Sequence, residues 1–131
     1  MMTTASTHLR GPFSWAQEME YSQSVAAQGL LFISGQFGAD ANGDVVSDDA
    51  EEQIRATFQN LEAVLAASGA SMKDLVSLRC YLLRGDDYPI LKKVRREFIP
   101  GEPYPASVVM CVPAFAFPGM LIEIEAIANI G

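Results

Sequence analysis

A chain of 131 residues, half of them hydrophobic, is the size of one globular domain and too apolar to remain disordered. With 16 acidic residues against 9 basic ones the net charge is -7, which disfavours nucleic acid as a partner. No apolar run approaches the roughly 20 residues that cross a bilayer, no charged-then-apolar leader opens the chain, and no His/Cys cluster offers a transition-metal site. The expectation is a cytoplasmic protein of one domain, residues 1–131, with no membrane contact and no cofactor.

Residues 1–15 read as a loosely ordered tail. Phe13-Ser14-Trp15 folds back onto the domain, with Trp15 covering an edge in preference to serving as a substrate platform. The single histidine, His8, lies in that tail, so a Ser-His-Asp triad is not expected. Tyr21 to Ala26 and Leu30 to Ser34 are two strands joined at Ala27-Gln28-Gly29, a hairpin whose glycine supplies the tight turn. Gly35-Gln36-Phe37-Gly38 ends the second strand, either as a plain loop or where backbone approaches something closely.

A first helix runs from about Asp48 to Ser68. Asp48 and Glu51 have capping-box spacing, and Ile54, Phe58, Leu61 and Leu65 form one apolar stripe. Gly69 stops it. The acids of its first turn suit the helix dipole and read as stabilisers, not ligands. Asp74 to Leu83 is a third strand, with Val76, Leu78, Cys80 and Leu82 on one face and Ser77, Arg79 and Tyr81 on the other. Arg79 cannot give up its charge, so it requires a carboxylate, with Glu123 or Glu125 as the partner.

Asp86-Asp87-Tyr88-Pro89 opens a second helix with Leu91, Val94 and Phe98 inside. Its Lys92, Lys93, Arg95 and Arg96 are the only dense basic cluster; a solvated face is the plainer reading, ahead of an anion site. Residues 100–105 are a stiff connector, Ser107 to Val112 a fourth strand, and Pro113 to Pro118 an apolar loop. Cys80 and Cys111 read as two buried free thiols, ahead of a disulfide or a reactive thiol.

The last eleven residues, Leu121 to Gly131, alternate as a strand that belongs inside a sheet. Ile122, Ile124, Ala126 and Ala128 share one face, and Glu123 and Glu125 share the other. Carboxylates are rarely buried without a partner, so that face looks onto a cleft, a second subunit or water. The order is ββαβαββ, an α+β domain with two helices on one face of a sheet. The other face is left uncovered, which argues for an oligomer.

These residues also resemble a known family. Tyr21-Ser22-Gln23, then Leu31-Phe32-Ile33-Ser34-Gly35-Gln36, then Asn60-Leu61 with Ala67-Ser68-Gly69, then Asp87-Tyr88, and finally Ile122-Glu123-Ile124-Glu125-Ala126-Ile127-Ala128 are together similar to the RidA family, also called YjgF or L-PSP. The resemblance spans nearly the whole chain. It implies a chorismate-mutase-like fold, a homotrimer, and small-molecule ligands in clefts between subunits. It implies hydrolysis of reactive enamines and imines such as 2-aminoacrylate to keto acids and ammonia. A ribonuclease label is attached to part of the family; the acidic balance and the lack of a basic stripe with interleaved aromatics disfavour it here.

By position, Tyr21, Gly35 and Glu123 correspond to cleft residues, and Glu123 to a glutamate associated with the reacting water. The family's carboxylate-gripping arginine, in Pro-Ala-Arg-Ser, falls at Ser107 of Pro105-Ala106-Ser107-Val108. Loss of a bidentate pair weakens carboxylate binding by roughly tens-fold, at about 1.5–3 kcal/mol per charged hydrogen bond. The substrate is therefore expected to differ from that of relatives that keep the arginine, with Ser107 hydrogen-bonding it and Arg79 a candidate substitute cation. Cys111, on the same strand as Ser107, faces either ligand or core. A trimer that binds a small metabolite without turnover is the alternative.

Overall fold

The computed structural model describes residues 5–131. Six strands form one sheet: β1 (Thr7–Leu9), β2 (Ser24–Ala27), β3 (Leu30–Gln36), β4 (Leu75–Leu82), β5 (Ala106–Cys111) and β6 (Ile122–Asn129), in the order β1-β2-β3-β6-β4-β5. Two helices, α1 (Ala50–Ala67) and α2 (Tyr88–Phe98), pack together on one face. The architecture is α+β, as the alternation of apolar patterns predicts.

The last strand of the chain is central. β6 lies between β3 and β4, antiparallel to both, with Phe32 opposite Ile127 and Arg79 opposite Glu125. β4 and β5 are parallel, a pairing that requires a crossover, and α2 supplies it. β2 and β3 meet in a two-residue turn where Gln28 (φ 56) and Gly29 (φ 79) both take positive φ, the turn that matches hairpin twist.

The core fills the space between helices and sheet. Phe58, Leu61, Val64 and Leu65 of α1 and Leu91 and Val94 of α2 are completely buried against Leu78, Cys80, Ile122 and Ile124. Phe58 and Phe98 stack across the helix pair at 5.2 Å. Outside, Arg55 joins Glu51 and Glu97, and Lys93 reaches Glu51 at 3.0 Å. Exposed pairs of this kind contribute about 0–1 kcal/mol each, so apolar burial is what docks the helices.

Five local expectations are corrected. Residues 7–9, expected in the tail, form a strand on β2 (residues 1–4 lie outside the described residues). β3 continues past Ser34 to Gln36 through a register shift. Asp49, not Asp48, caps α1, accepting from the Glu52 amide at 2.9 Å; this frees Glu51 for Arg55 and Lys93. Val76 lies on the uncovered face at 42% exposure, because an irregularity between Leu75 and Ser77 resets the alternation. Cys111 is exposed while Cys80 is buried; both are free.

Candidate functional site

The two sides of the sheet carry two separate groups of functional side chains. The first stands on the uncovered face around Glu123. Its carboxyl rests against the backbone of Gly35: a Cβ at position 35 would lie 2.7 Å from Oε1 and 2.8 Å from Cδ. The expected close approach at Gly35 is therefore to a carboxylate of the central strand, and only glycine leaves room for it. Ser34 Oγ donates to the Ser22 carbonyl at 2.6 Å, which ties the segment carrying Tyr21 to the strand carrying Gly35. Tyr21 itself is 46% exposed. The structure thus brings Tyr21, Gly35 and Glu123 to one end of the sheet.

Glu123 is half-buried, and its carboxyl makes no hydrogen bond or ion pair among the described residues. Partial burial, and secondarily the Glu125 carboxylate on the same face, push its carboxyl above the ordinary range. A carboxyl so placed exchanges a proton closer to neutral pH than an exposed one. Glu125 is engaged differently: it accepts a 2.5 Å hydrogen bond from the Tyr81 hydroxyl, the length of a charge-assisted O–H···O contact. That bond, with burial and the carboxylate's charge behind it, pushes the Tyr81 phenol up, while the nearby Arg79 guanidinium pulls it down.

Arg79 was expected to pair with Glu123 or Glu125. It sits opposite Glu125 in register but forms no ion pair with either, because Glu125 is taken by Tyr81 and Arg79 is exposed. Tyr81 is the participant that sequence reasoning missed. Its two-residue offset from Arg79 was visible, but nothing marked which of the two would reach the carboxylate.

The second group lies on the helix side. In register, Ser107 pairs with Leu78 and Cys111 with Leu82, both buried residues, so Ser107 and Cys111 face α2 and away from Glu123. They line a cavity of about 700 Å³ between α2 and β5. Leu78, Leu82, Ile99 and Val109 supply apolar wall, Tyr88 and Tyr104 its aromatic sides, and Lys92, Arg95 and Arg96 its cations. The basic cluster of α2 thus divides. Lys93 turns to Glu51 of α1, while the other three, at spacing 92, 95 and 96, share the cavity side. That spacing was the available signal, and the solvated-face reading passed over it.

Cys80 lies beneath this region. Burial pushes its thiol up to about 12, so it packs as an apolar group and not as a nucleophile. Among the described residues no group of His, Cys, Asp and Glu has the geometry to hold a metal ion, and no helix is long and apolar enough to cross a membrane.

Comparisons with known proteins agree with this architecture. The family model described as Endoribonuclease L-PSP matches residues 14–130. A RutC family protein of Pyrococcus horikoshii is 38% identical over 109 residues, covering 82% of this chain and 85% of the relative. A protein of Dermatophagoides farinae named 2-iminobutanoate/2-iminopropanoate deaminase is 31% identical over 111 residues, covering 84% of this chain and 85% of its own length. Among solved structures, the Rid-family protein YyfA of Yersinia pestis superposes with a TM-score of 0.89 at 27% identity, covering 96% of this chain and all of that one.

Proposed function

We propose, from the premise that the chain belongs to the Endoribonuclease L-PSP (RidA/YjgF) family, that it is an imine and enamine hydrolase. Its substrate would be a small metabolite held in a cleft between the subunits of a homotrimer, with a substrate preference shifted from that of relatives carrying the arginine. The observation that carries this reading is Glu123: a half-buried carboxyl with no partner of its own, its proton affinity raised, seated against a glycine at the rim of an uncovered sheet face. Such a group suits proton exchange with water in a cleft.

The chemistry needs little else. Water adds to the carbon of a protonated imine while Glu123 takes one of the water's protons. Glu123 then gives that proton to nitrogen and, once more a carboxylate, takes the hydroxyl proton of the carbinolamine as the carbon–nitrogen bond breaks, so that ammonia leaves as the carbonyl forms. Holding the substrate in register supplies much of the rate. Ser107 lies on the other side of the sheet from Glu123 within one chain, so a cleft using both takes Glu123 from one subunit and the Ser107 cavity from its neighbour. The exposed apolar residues of the uncovered face, Phe32, Val76 and Val108, support such an assembly. A trimer that binds without turnover is the second reading, favoured by serine at the arginine position.

A coupled ammonia-release assay with 2-aminoacrylate and with imines bearing larger side chains tests this. Turnover is expected with at least one imine, falling roughly 10²- to 10⁴-fold in Glu123→Gln. Light scattering should give the mass of three chains. Turnover that survives Glu123→Gln removes the glutamate from the mechanism. Turnover of 2-aminoacrylate at the rate of arginine-bearing relatives shows that the serine does not alter preference.

A further inference from the structure

We infer that the cations Lys92, Arg95 and Arg96 of α2 form the anion grip of the cavity, and that it selects organic acids with a bulky apolar or aromatic body. The inference deepens the proposed function, since it rests on this cavity being the ligand half of the cleft.

The first observation is where the positive charge goes. This is an acidic chain, with 16 carboxylates available to 9 cations. Three other cations near α2 are taken: Lys93 and Arg55 by Glu51 and Glu97, and Arg84 by Asp87 at 3.0 Å. The side chains of Arg95 and Arg96 form no ion pair or hydrogen bond among the described residues, and that of Lys92 makes only a cation–π contact, 5.6 Å above the Tyr88 ring. Those three line the cavity of about 700 Å³ between α2 and β5, and no Asp or Glu lines it. Free cations converging on a concave surface without counter-charge are the arrangement that captures an anion.

The second observation is the character of the rest of the wall. Leu78 and Leu82 are almost fully buried at its floor, Ile99 is buried and Val109 half-buried, and Tyr104 is 64% exposed at its mouth. A volume of about 700 Å³ falls within the range of about 300–1,000 Å³ of sites that enclose drug-sized molecules. A three-carbon acid would leave most of this apolar surface wet; an aromatic or branched side chain would cover it. The third observation is Ser107, in the same wall. With a short neutral side chain on β5, the charge recognising an acid comes from the helix across the cavity, and the space near the strand is free for the body of the ligand.

Calorimetric titration of the whole protein tests the inference with four probes: phenylpyruvate, pyruvate, the neutral 3-phenylpropanamide and inorganic phosphate. Phenylpyruvate is expected to bind at least ten-fold more tightly than each of the others. Arg95→Gln and Arg96→Gln should each weaken it roughly ten-fold or more while leaving the amide unchanged. Arg96 is exposed, so its variant keeps the fold and carries the test even where the half-buried Arg95 tolerates no change. Equal affinity for pyruvate and phenylpyruvate overturns the inference, as does phosphate binding as tightly as phenylpyruvate, or indifference to both arginine changes. Arginine-dependent phenylpyruvate binding with no ammonia released from any imine sinks the hydrolase reading alone and leaves this grip standing.

Discussion

On the helix-covered face of the sheet, Leu31, Ile33, Leu78, Cys80, Ile122 and Ile124 are each at most 4% exposed. On the opposite face the same strands carry Phe32, Arg79, Tyr81, Glu123 and Glu125, half-buried or exposed. Apart from the irregularities between Ile33 and Gln36 and between Leu75 and Ser77, the strands alternate between the two, so the contrast lies in what each face meets. The covered face meets two amphipathic helices and is chosen for volume and apolarity. The uncovered face mixes large apolar groups with charge, and it keeps a carboxyl at a raised proton affinity for which the fold itself has no need. Side chains that do not serve the core of their own chain are the ones to examine for function.

The largest expected effect tests the covered face. Leu78→Ala should cost about 2–5 kcal/mol in urea unfolding, the range for truncating a fully buried leucine. Val108→Asp, 40% exposed on the other face, should leave the circular dichroism of the folded chain intact and, where the proposed trimer forms through this face, lower the mass in light scattering. If Val108→Asp unfolds the chain as Leu78→Ala weakens it, the two faces do not divide the labour as described.

A smaller effect is expected on the uncovered face itself. Gly35→Ala puts a methyl group within 2.7 Å of the Glu123 carboxyl, which must move away. A displacement of about 1 Å in a positioned group costs on the order of 10²-fold in rate. The kcat/KM for ammonia release should fall by about that factor while the far-UV spectrum is unchanged. An alanine variant of full activity would mean that the place of Glu123 over Gly35 has no bearing on catalysis.

Much of this contrast was legible in the chain. The alternation of Ile122, Ile124, Ala126 and Ala128 against Glu123 and Glu125 gave the faces of β6 correctly, since residues of a straight strand cannot depart from period two. It failed at Val76, where a one-residue irregularity carries the side chain across the sheet, and no turn residue signals that irregularity. The hairpin at Gln28-Gly29 was readable from local chemistry. The strand at residues 7–9 was not: a three-residue edge strand is held by backbone pairing to β2, which side-chain type scarcely reports.

At the site, position along the chain does not say which side chains of one chain share a face. Ser107 and Glu123, both expected at clefts between subunits, stand on opposite faces of one chain's sheet by register. Arg79 and Tyr81 share a face, and the choice of Tyr81 as partner to Glu125 depends on reach, a three-dimensional property. The division of the α2 basic cluster was present in the spacing 92, 95, 96 against 93, but it acquires meaning only once α1 places Glu51 beside Lys93.

The finest test separates the two causes that hold the Glu123 proton. Burial is the larger cause and the Glu125 charge the smaller. If Glu123 acts as the base, kcat/KM should rise with pH along a limb lying above the ordinary carboxylate value of 4.5. Glu125→Gln removes the neighbouring charge and keeps an amide oxygen for the Tyr81 hydroxyl, so the limb should move to lower pH without reaching the ordinary value, because burial remains. Stability must follow the same sign. A carboxyl with a raised folded-state pKa binds its proton more tightly folded than unfolded, so its contribution to stability is greatest at acid pH and is lost as pH rises through the carboxylate range. Glu125→Gln should therefore raise the melting temperature more at pH 7 than at pH 4. An activity limb that stays where it was, together with equal melting shifts at both pH values, would mean that the two carboxylates of β6 do not sense each other, and that burial alone sets the proton affinity of Glu123.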